Sequence, residues 1–128
     1  MKFPKKRLEG EVSQVVWYWK EDKKDLAYIG DCLNGKRHGN GKAFNTNGSL
    51  WCIGDWYKDM IDDNIQTYYE NGKMKFKGRF VRGNKHGFGV KYFGNGQIYY
   101  VGVYDNGDIV EESRFFRKNG EIFSVEVF

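Results

Sequence analysis

A chain of 128 residues with a formal net charge of +4 and 30% charged residues has the size of one domain, and none of its apolar stretches approaches the roughly 20 residues that a membrane-spanning helix needs. Seventeen glycines stand against a single proline, Pro4; glycine weakens helix interiors and supplies the positive φ of tight turns, so an all-β fold is expected. Cys32 and Cys52 lie too far apart for a CxxC site, and His38 and His86 each follow a basic residue with no acid or nucleophile at a useful spacing. The residues therefore suggest reduced thiols, no metal ligand set, no cofactor and no catalytic group.

In chain order, Met1-Lys2-Phe3-Pro4-Lys5-Lys6-Arg7 is basic but is not followed by the apolar core of a signal peptide, so the mature protein is expected to start near Met1 and to stay in the cytoplasm. Leu8-Glu9-Gly10 precedes Gly30 by 20 residues and leads into the strand-like Val15-Val16-Trp17-Tyr18-Trp19. Residues 1–27 thus read as an N-terminal cap containing a worn extra repeat. From residue 28 a period of 24 governs the chain: Asn-Gly recurs at 47/48, 71/72, 95/96 and 119/120. Gly30, Gly54, Gly78 and Gly102 repeat in step, each two residues after Tyr28, Cys52, Phe76 and Tyr100 and two before Cys32, Trp56, Phe80 and Tyr104. Phe44, Tyr68, Tyr92 and Phe116 form another column, and Phe128 ends the chain halfway through a fifth unit.

Asn-Gly between β-prone runs predicts a two-residue type I′ turn, in which both central residues take positive φ. Each unit then reads as a strand, a loop of about six residues, a second strand and an Asn-Gly turn. Residues 28–128 become a single-layer antiparallel meander of four 24-residue β-hairpins plus a terminal half-unit, a solenoid curved into a trough.

The run Tyr28-Ile29-Gly30-Asp31-Cys32-Leu33-Asn34-Gly35-Lys36-Arg37-His38-Gly39-Asn40-Gly41-Lys42-Ala43-Phe44 resembles a MORN repeat of the YxGxxxxGxxxGxG type. Phe76 to Tyr92 matches through Gly78, Gly83, Gly87 and Gly89. The second and fourth units depart from the pattern, with Asp59, Asp63 and Ile65, and with Glu111 and Ser113, where glycine is expected; Gly107 is kept. The resemblance implies a protein-interaction scaffold, at a membrane or the cytoskeleton, that holds a segment of its partner along the trough.

With two-residue Asn-Gly turns, Gly41 falls opposite Gly54, Gly89 opposite Gly102, Trp56 opposite Gly39 and Tyr104 opposite Gly87, so that rings lie on bare backbone. Phe44 with Trp51, Tyr92 with Tyr99 and Phe116 with Phe123 become aromatic pairs on the other face; a bulge beside the turn would reverse that parity and bring both sets to one face. The candidate partner-binding residues are Tyr28, Trp56, Phe76, Phe80, Tyr100 and Tyr104, with Tyr68 and Tyr92 behind them. Anionic-lipid binding, the alternative that the resemblance implies, draws on Lys5, Lys6, Arg7, Lys36, Arg37, Arg82 and Lys85.

Charge alternates by unit. Residues 28–51 carry three basic residues and one acid, 52–75 three and five, 76–99 five and none, and 100–123 three and five. Such alternation suits a mixed-charge protein partner better than a uniform lipid surface or a nucleic acid. The terminal strand, Ile122 to Phe128, has an unpaired edge in this scheme and is expected to pair with a partner, to be capped, or to pair with a second copy of the chain.

Overall fold

The computed structural model describes residues 12–126, the side chains of 111–113 and 123–126 excepted; Leu8 to Gly10, the cluster Lys5, Lys6 and Arg7, and Phe128 lie outside the described residues. Ten strands follow one another: β1 (Ser13–Tyr18), β2 (Leu26–Leu33), β3 (Lys36–Phe44), β4 (Leu50–Tyr57), β5 (Met60–Tyr68), β6 (Met74–Val81), β7 (Asn84–Tyr92), β8 (Ile98–Asp105), β9 (Asp108–Phe116) and β10 (Ile122–Glu126). Each is hydrogen-bonded to the next in a single open sheet of order β1 to β10, and all nine pairings are antiparallel. The chain is therefore an all-β meander. No helix among the described residues is long and apolar enough to cross a membrane. β1 pairs with β2 so that Val15 lies opposite Gly30.

The two kinds of turn are exchanged relative to the sequence reading. Within each unit, where a loop of about six residues was expected, the strands meet in a two-residue type I′ turn. Asn34 and Gly35 have φ of 53° and 75°, Lys58 and Asp59 47° and 73°, Arg82 and Gly83 50° and 83°, and Asn106 and Gly107 50° and 91°. At the Asn-Gly pairs only the glycine has positive φ. The Asn45 N–H donates to the Ser49 carbonyl at 2.8 Å and the Gly48 N–H to the Asn45 carbonyl at 3.0 Å, which is a type I turn closed by a left-handed glycine. The same bonds recur around Gly72, Gly96 and Gly120.

Asparagine recurs here for its side chain. The Oδ1 atoms of Asn47, Asn71, Asn95 and Asn119 accept the N–H two residues on, at 2.9–3.0 Å. The Nδ2 atoms of the first three donate to the next unit, at Glu70 Oε1, the Gly94 carbonyl and the Lys118 carbonyl.

These three-residue loops place a bulge beside each turn. Phe44 pairs with Leu50, Tyr92 with Ile98 and Phe116 with Ile122, which replaces the expected pairs Phe44 with Trp51, Tyr92 with Tyr99 and Phe116 with Phe123. In the hairpins of Phe44 and Tyr92 the extra residue, Trp51 or Tyr99, turns its side chain toward the layer of rings. Trp51 meets Trp56 edge-on at 5.9 Å, and Tyr99 meets Phe115 at 5.9 Å.

Gly41 opposite Gly54, Gly89 opposite Gly102, Gly39 opposite Trp56 and Gly87 opposite Tyr104 are all present. The rings over the glycine floor, however, belong to Tyr28 and Phe76. A Cβ on Gly41 would run into the Tyr28 ring, and one on Gly89 would sit 2.6 Å from Phe76 Cζ. Gly39 and Gly87 serve the backbone, at φ of 88° and 85°, and Asp63 takes the same place in the second unit at 68°, a conformation that aspartate tolerates.

The second unit solves the packing by exchange. Cys52 stands where Tyr28 and Phe76 stand, Ile65 stands where Gly41 and Gly89 stand, and both are fully buried. The Ile65 side chain occupies the space above Gly54, with its Cδ1 2.8 Å from where a Cβ would be. Volume given up on one strand is supplied by its neighbour, and the cluster of Tyr28, Ala43, Cys52, Trp56, Ile65, Phe76, Phe80, Tyr100 and Tyr104 is continuous.

Gly41→Ala is expected to cost about 1–3 kcal/mol by overpacking, whereas Gly94→Ala, with nothing closer to its Cβ than Asn71 Nδ2 at 4.0 Å, should stay within about 0.5 kcal/mol; urea unfolding measures both. Cys52→Phe should destabilise by a similar amount, and the double variant Cys52→Phe with Ile65→Gly should unfold at higher urea than Cys52→Phe alone. Additive effects of the two changes would disprove the exchange of volume.

Candidate functional site

The layer of rings on one face is closed. Tyr28, Trp56, Phe76, Phe80, Tyr100 and Tyr104 retain between 1% and 6% of their surface, because each ring is covered by its neighbours. Tyr28 packs edge-on against Trp56 at 5.7 Å, Phe76 against Phe80 at 5.6 Å and Tyr104 at 5.7 Å, and Tyr100 against Tyr104 at 5.5 Å. Their polar atoms turn inward as well: Tyr28 Oη donates to the Asp31 carbonyl at 2.7 Å and Trp56 Nε1 to the Gly41 carbonyl at 3.3 Å. These six residues, expected to anchor a partner, are instead the interior of the sheet. Without a second layer to pack on, the rings bury one another.

Burial also sets their acidity. It raises the Tyr28 phenol above its ordinary range and pushes the Tyr104 phenol and the Cys52 thiol up to about 12 each.

Tyr68 and Tyr92 are half-buried. The Tyr68 hydroxyl donates to Gln66 Oε1 at 2.9 Å, and the Tyr92 carbonyl accepts the Tyr69 hydroxyl at 2.6 Å.

The basic loop residues divide into two kinds. Lys36 and Arg82 are exposed. Arg37 lies 4.2 Å above the Trp56 ring, its Nε is 2.7 Å from Asp59 Oδ1 and its Nη2 donates to the Asp59 carbonyl at 3.0 Å. Its anion is therefore already supplied from within the chain. Against the opposing effect of burial, the hydrogen bonds and charge of Arg37 hold the Asp59 carboxyl below its usual range. Lys85 points inward and sits 4.3 Å above the Phe76 ring.

The opposite face carries the feature that sequence reasoning missed, a groove of about 730 Å³ crossing β3 to β7. Ile53, Val90, Tyr92 and Phe88 give it apolar walls, Asn64, Gln66, Lys77 and Arg79 give it polar ones, and Gly54 and Gly78 contribute bare backbone. Phe88 is 61% exposed, an apolar ring held in water between Gly87 and Gly89 on β7. The equivalent positions 24 and 48 residues earlier are Asn64 and Asn40, so an aromatic in that column was the available signal. Lys77 has no carboxylate within ion-pair distance among the described residues, and Arg79 meets Asp63 only at 3.8 Å. Among the described residues no group of three or more His, Cys, Asp or Glu side chains is placed to hold a metal ion. No protein-family model matches the chain, and no curated protein matches it.

The raised Cys52 and Tyr104 values have a measurable consequence. Both groups keep their protons to higher pH folded than unfolded, so their contribution to stability is complete well below pH 9.0, at which the unfolded thiol is half ionised, and is lost as pH rises toward about 12. Urea midpoints should fall across that window. A flat profile would mean that water reaches the two groups in the folded protein.

Proposed function

We propose that this chain is a non-enzymatic interaction module of MORN-like units that holds a partner's polypeptide segment in the groove of β3 to β7, on the face opposite the rings. The observation that carries this reading is Phe88, largely exposed at one wall of a recess whose other walls are Ile53, Val90 and Tyr92. An exposed aromatic beside a shaped apolar pocket is the kind of anchor on which interfaces concentrate their binding energy. The 24-residue columns of glycine and aromatic residues support the comparison with MORN repeats, and the burial of the ring layer favours the other face as the one that meets a partner.

The groove's dimensions and chemistry favour an extended chain. Five adjacent strands span about 19 Å at a spacing of about 4.8 Å, the length of about six extended residues. The amides of Asn64 and Gln66 each offer a donor and an acceptor, which suits peptide groups of any sequence. Lys77 and Arg79 call for an acidic residue beside the apolar one that meets Phe88.

Selecting displayed random peptides on the whole chain tests this reading. Peptides combining an apolar and an acidic residue should emerge, and Phe88→Ser with Lys77→Glu should weaken their binding at least about tenfold, while Trp51→Ala on the ring face leaves it unchanged. Peptides that bind the double variant as well as the parent would defeat the assignment.

A further inference from the structure

The face of rings, closed along most of its length, has a charged recess where the second and third units meet. About 380 Å³ in volume, it is lined by Trp51, Thr67, Phe76, Lys75, Lys85 and Lys91 among others. The three lysines come from positions that are uncharged in most other units. Lys91 occupies the column of Ala43, Thr67 and Phe115, Lys75 that of Trp51 and Tyr99, and Lys85 that of Ile61 and Ile109.

All three ammonium groups lie over rings. Lys85 Nζ is 4.3 Å from the Phe76 centroid and 5.3 Å from that of Tyr104, Lys91 Nζ is 5.6 Å from Tyr99, and Lys75 Nζ is 5.7 Å from Tyr69. Among the described residues none has a carboxylate within ion-pair distance. In sequence, no Asp or Glu occurs between Glu70 and Asp105.

The first unit displays the same cation with its anion in place. Arg37 stands 48 residues before Lys85 and lies over Trp56, the counterpart of Tyr104. It is neutralised by Asp59, 2.7 Å away. The residue that corresponds to Asp59 in the third unit's surroundings is Gly107, beside which a Cβ would find nothing within 4 Å. The cation is thus repeated and its internal counterion is not. Burial, with the charges of Lys91 and Lys75 close by, depresses the Lys85 ammonium below the ordinary lysine range, as expected of a cation lacking its anion.

We propose that the recess formed by Lys75, Lys85 and Lys91 is a binding seat for a phosphate monoester or pyrophosphate group. A carboxylate would leave two of the three charges uncompensated, whereas a phosphate group carries nearly two negative charges and three terminal oxygens, which three ammonium donors match. The apolar wall of Trp51 and Phe76 then faces whatever the phosphate is attached to. A soluble phosphate ester and a phosphorylated lipid headgroup share this chemistry. The seat lies on the opposite face from the peptide groove and does not depend on it.

Titrating the whole chain with pyrophosphate, followed by two-dimensional amide NMR at physiological salt, tests the seat. Saturable shifts are expected at Thr67, Lys75, Lys85 and Lys91. Lys85→Ile, which installs the residue found at 61 and 109, should weaken binding roughly tenfold through loss of one charge-assisted contact. Gly107→Asp should weaken it comparably by supplying the internal anion, and Asp59, at φ of 73° in the same kind of turn, shows that aspartate is accommodated there. A dispersed spectrum confirms that each variant is folded.

Sedimentation with phosphatidylcholine vesicles containing phosphatidylinositol bisphosphate separates the two sources. Pelleting that pyrophosphate competes away and Lys85→Ile abolishes assigns the seat to a headgroup; pyrophosphate binding without pelleting assigns it to a soluble ester. Absence of saturable shifts, shifts confined to the exposed loops at Lys36 and Arg82, or an affinity in Lys85→Ile and Gly107→Asp as high as the parent's would overturn the proposal.

Discussion

An aromatic ring can lie down on a β-strand only where the strand beneath it has no Cβ, and this sheet is organised around that contact. Tyr28 rests over Gly41, and Phe76 rests over Gly78 and Gly89. By settling onto the backbone the rings come within edge-on distance of their neighbours one unit away, as Tyr28 does with Trp56 and Phe76 with Tyr104. A single layer of strands has no second sheet or helix to cover it, so apolar area leaves water only if side chains of the same face close over one another. Where the second unit lacks the glycine, Cys52 shrinks and Ile65 grows, which preserves the filled volume.

Both rims of the sheet hold the units in step. Along one, the Asp59, Gly83 and Gly107 N–H groups donate to the Arg37, Ile61 and Lys85 carbonyls at 2.8–3.0 Å. Along the other, the asparagine amides of the type I turns reach into the following unit. Turn-to-turn bonds of this kind fix the register from one hairpin to the next, so individual units can lose a glycine or an aromatic without slipping.

The two faces consequently differ in what they offer. The ring face is closed by its own packing except where Lys75, Lys85 and Lys91 line a recess between the second and third units, and there no carboxylate among the described residues lies within ion-pair distance of them. The other face has alternating amide, charged and aliphatic side chains with no ring layer over them, and a groove remains open between them. The proposed partner groove and the proposed anion seat therefore lie on opposite sides of one layer, each where the repeat pattern is broken: by Phe88 in a column of otherwise polar residues, Asn40, Asn64 and Glu112, and by Lys91 in a column holding Ala43, Thr67 and Phe115.

The sequence alone determined the all-β meander, the 24-residue period and the pairing of Gly41 with Gly54 and Gly89 with Gly102, since turn chemistry and alternation are local properties that a fixed period makes unambiguous. It did not determine which turn is which. Asn-Gly satisfies both a type I′ turn and a type I turn with a left-handed glycine, and the turn adopted in all four units is the one in which the asparagine Oδ1 accepts the N–H two residues on. That choice adds one residue beside each turn, which brings Trp51 and Tyr99 to the ring face and leaves the opposite face with its groove. Exposure was likewise decided by tertiary structure: Tyr28 and Tyr92 are both aromatic residues of a repeat column, and only the neighbours that fold against each of them bury the first completely and leave the second half open.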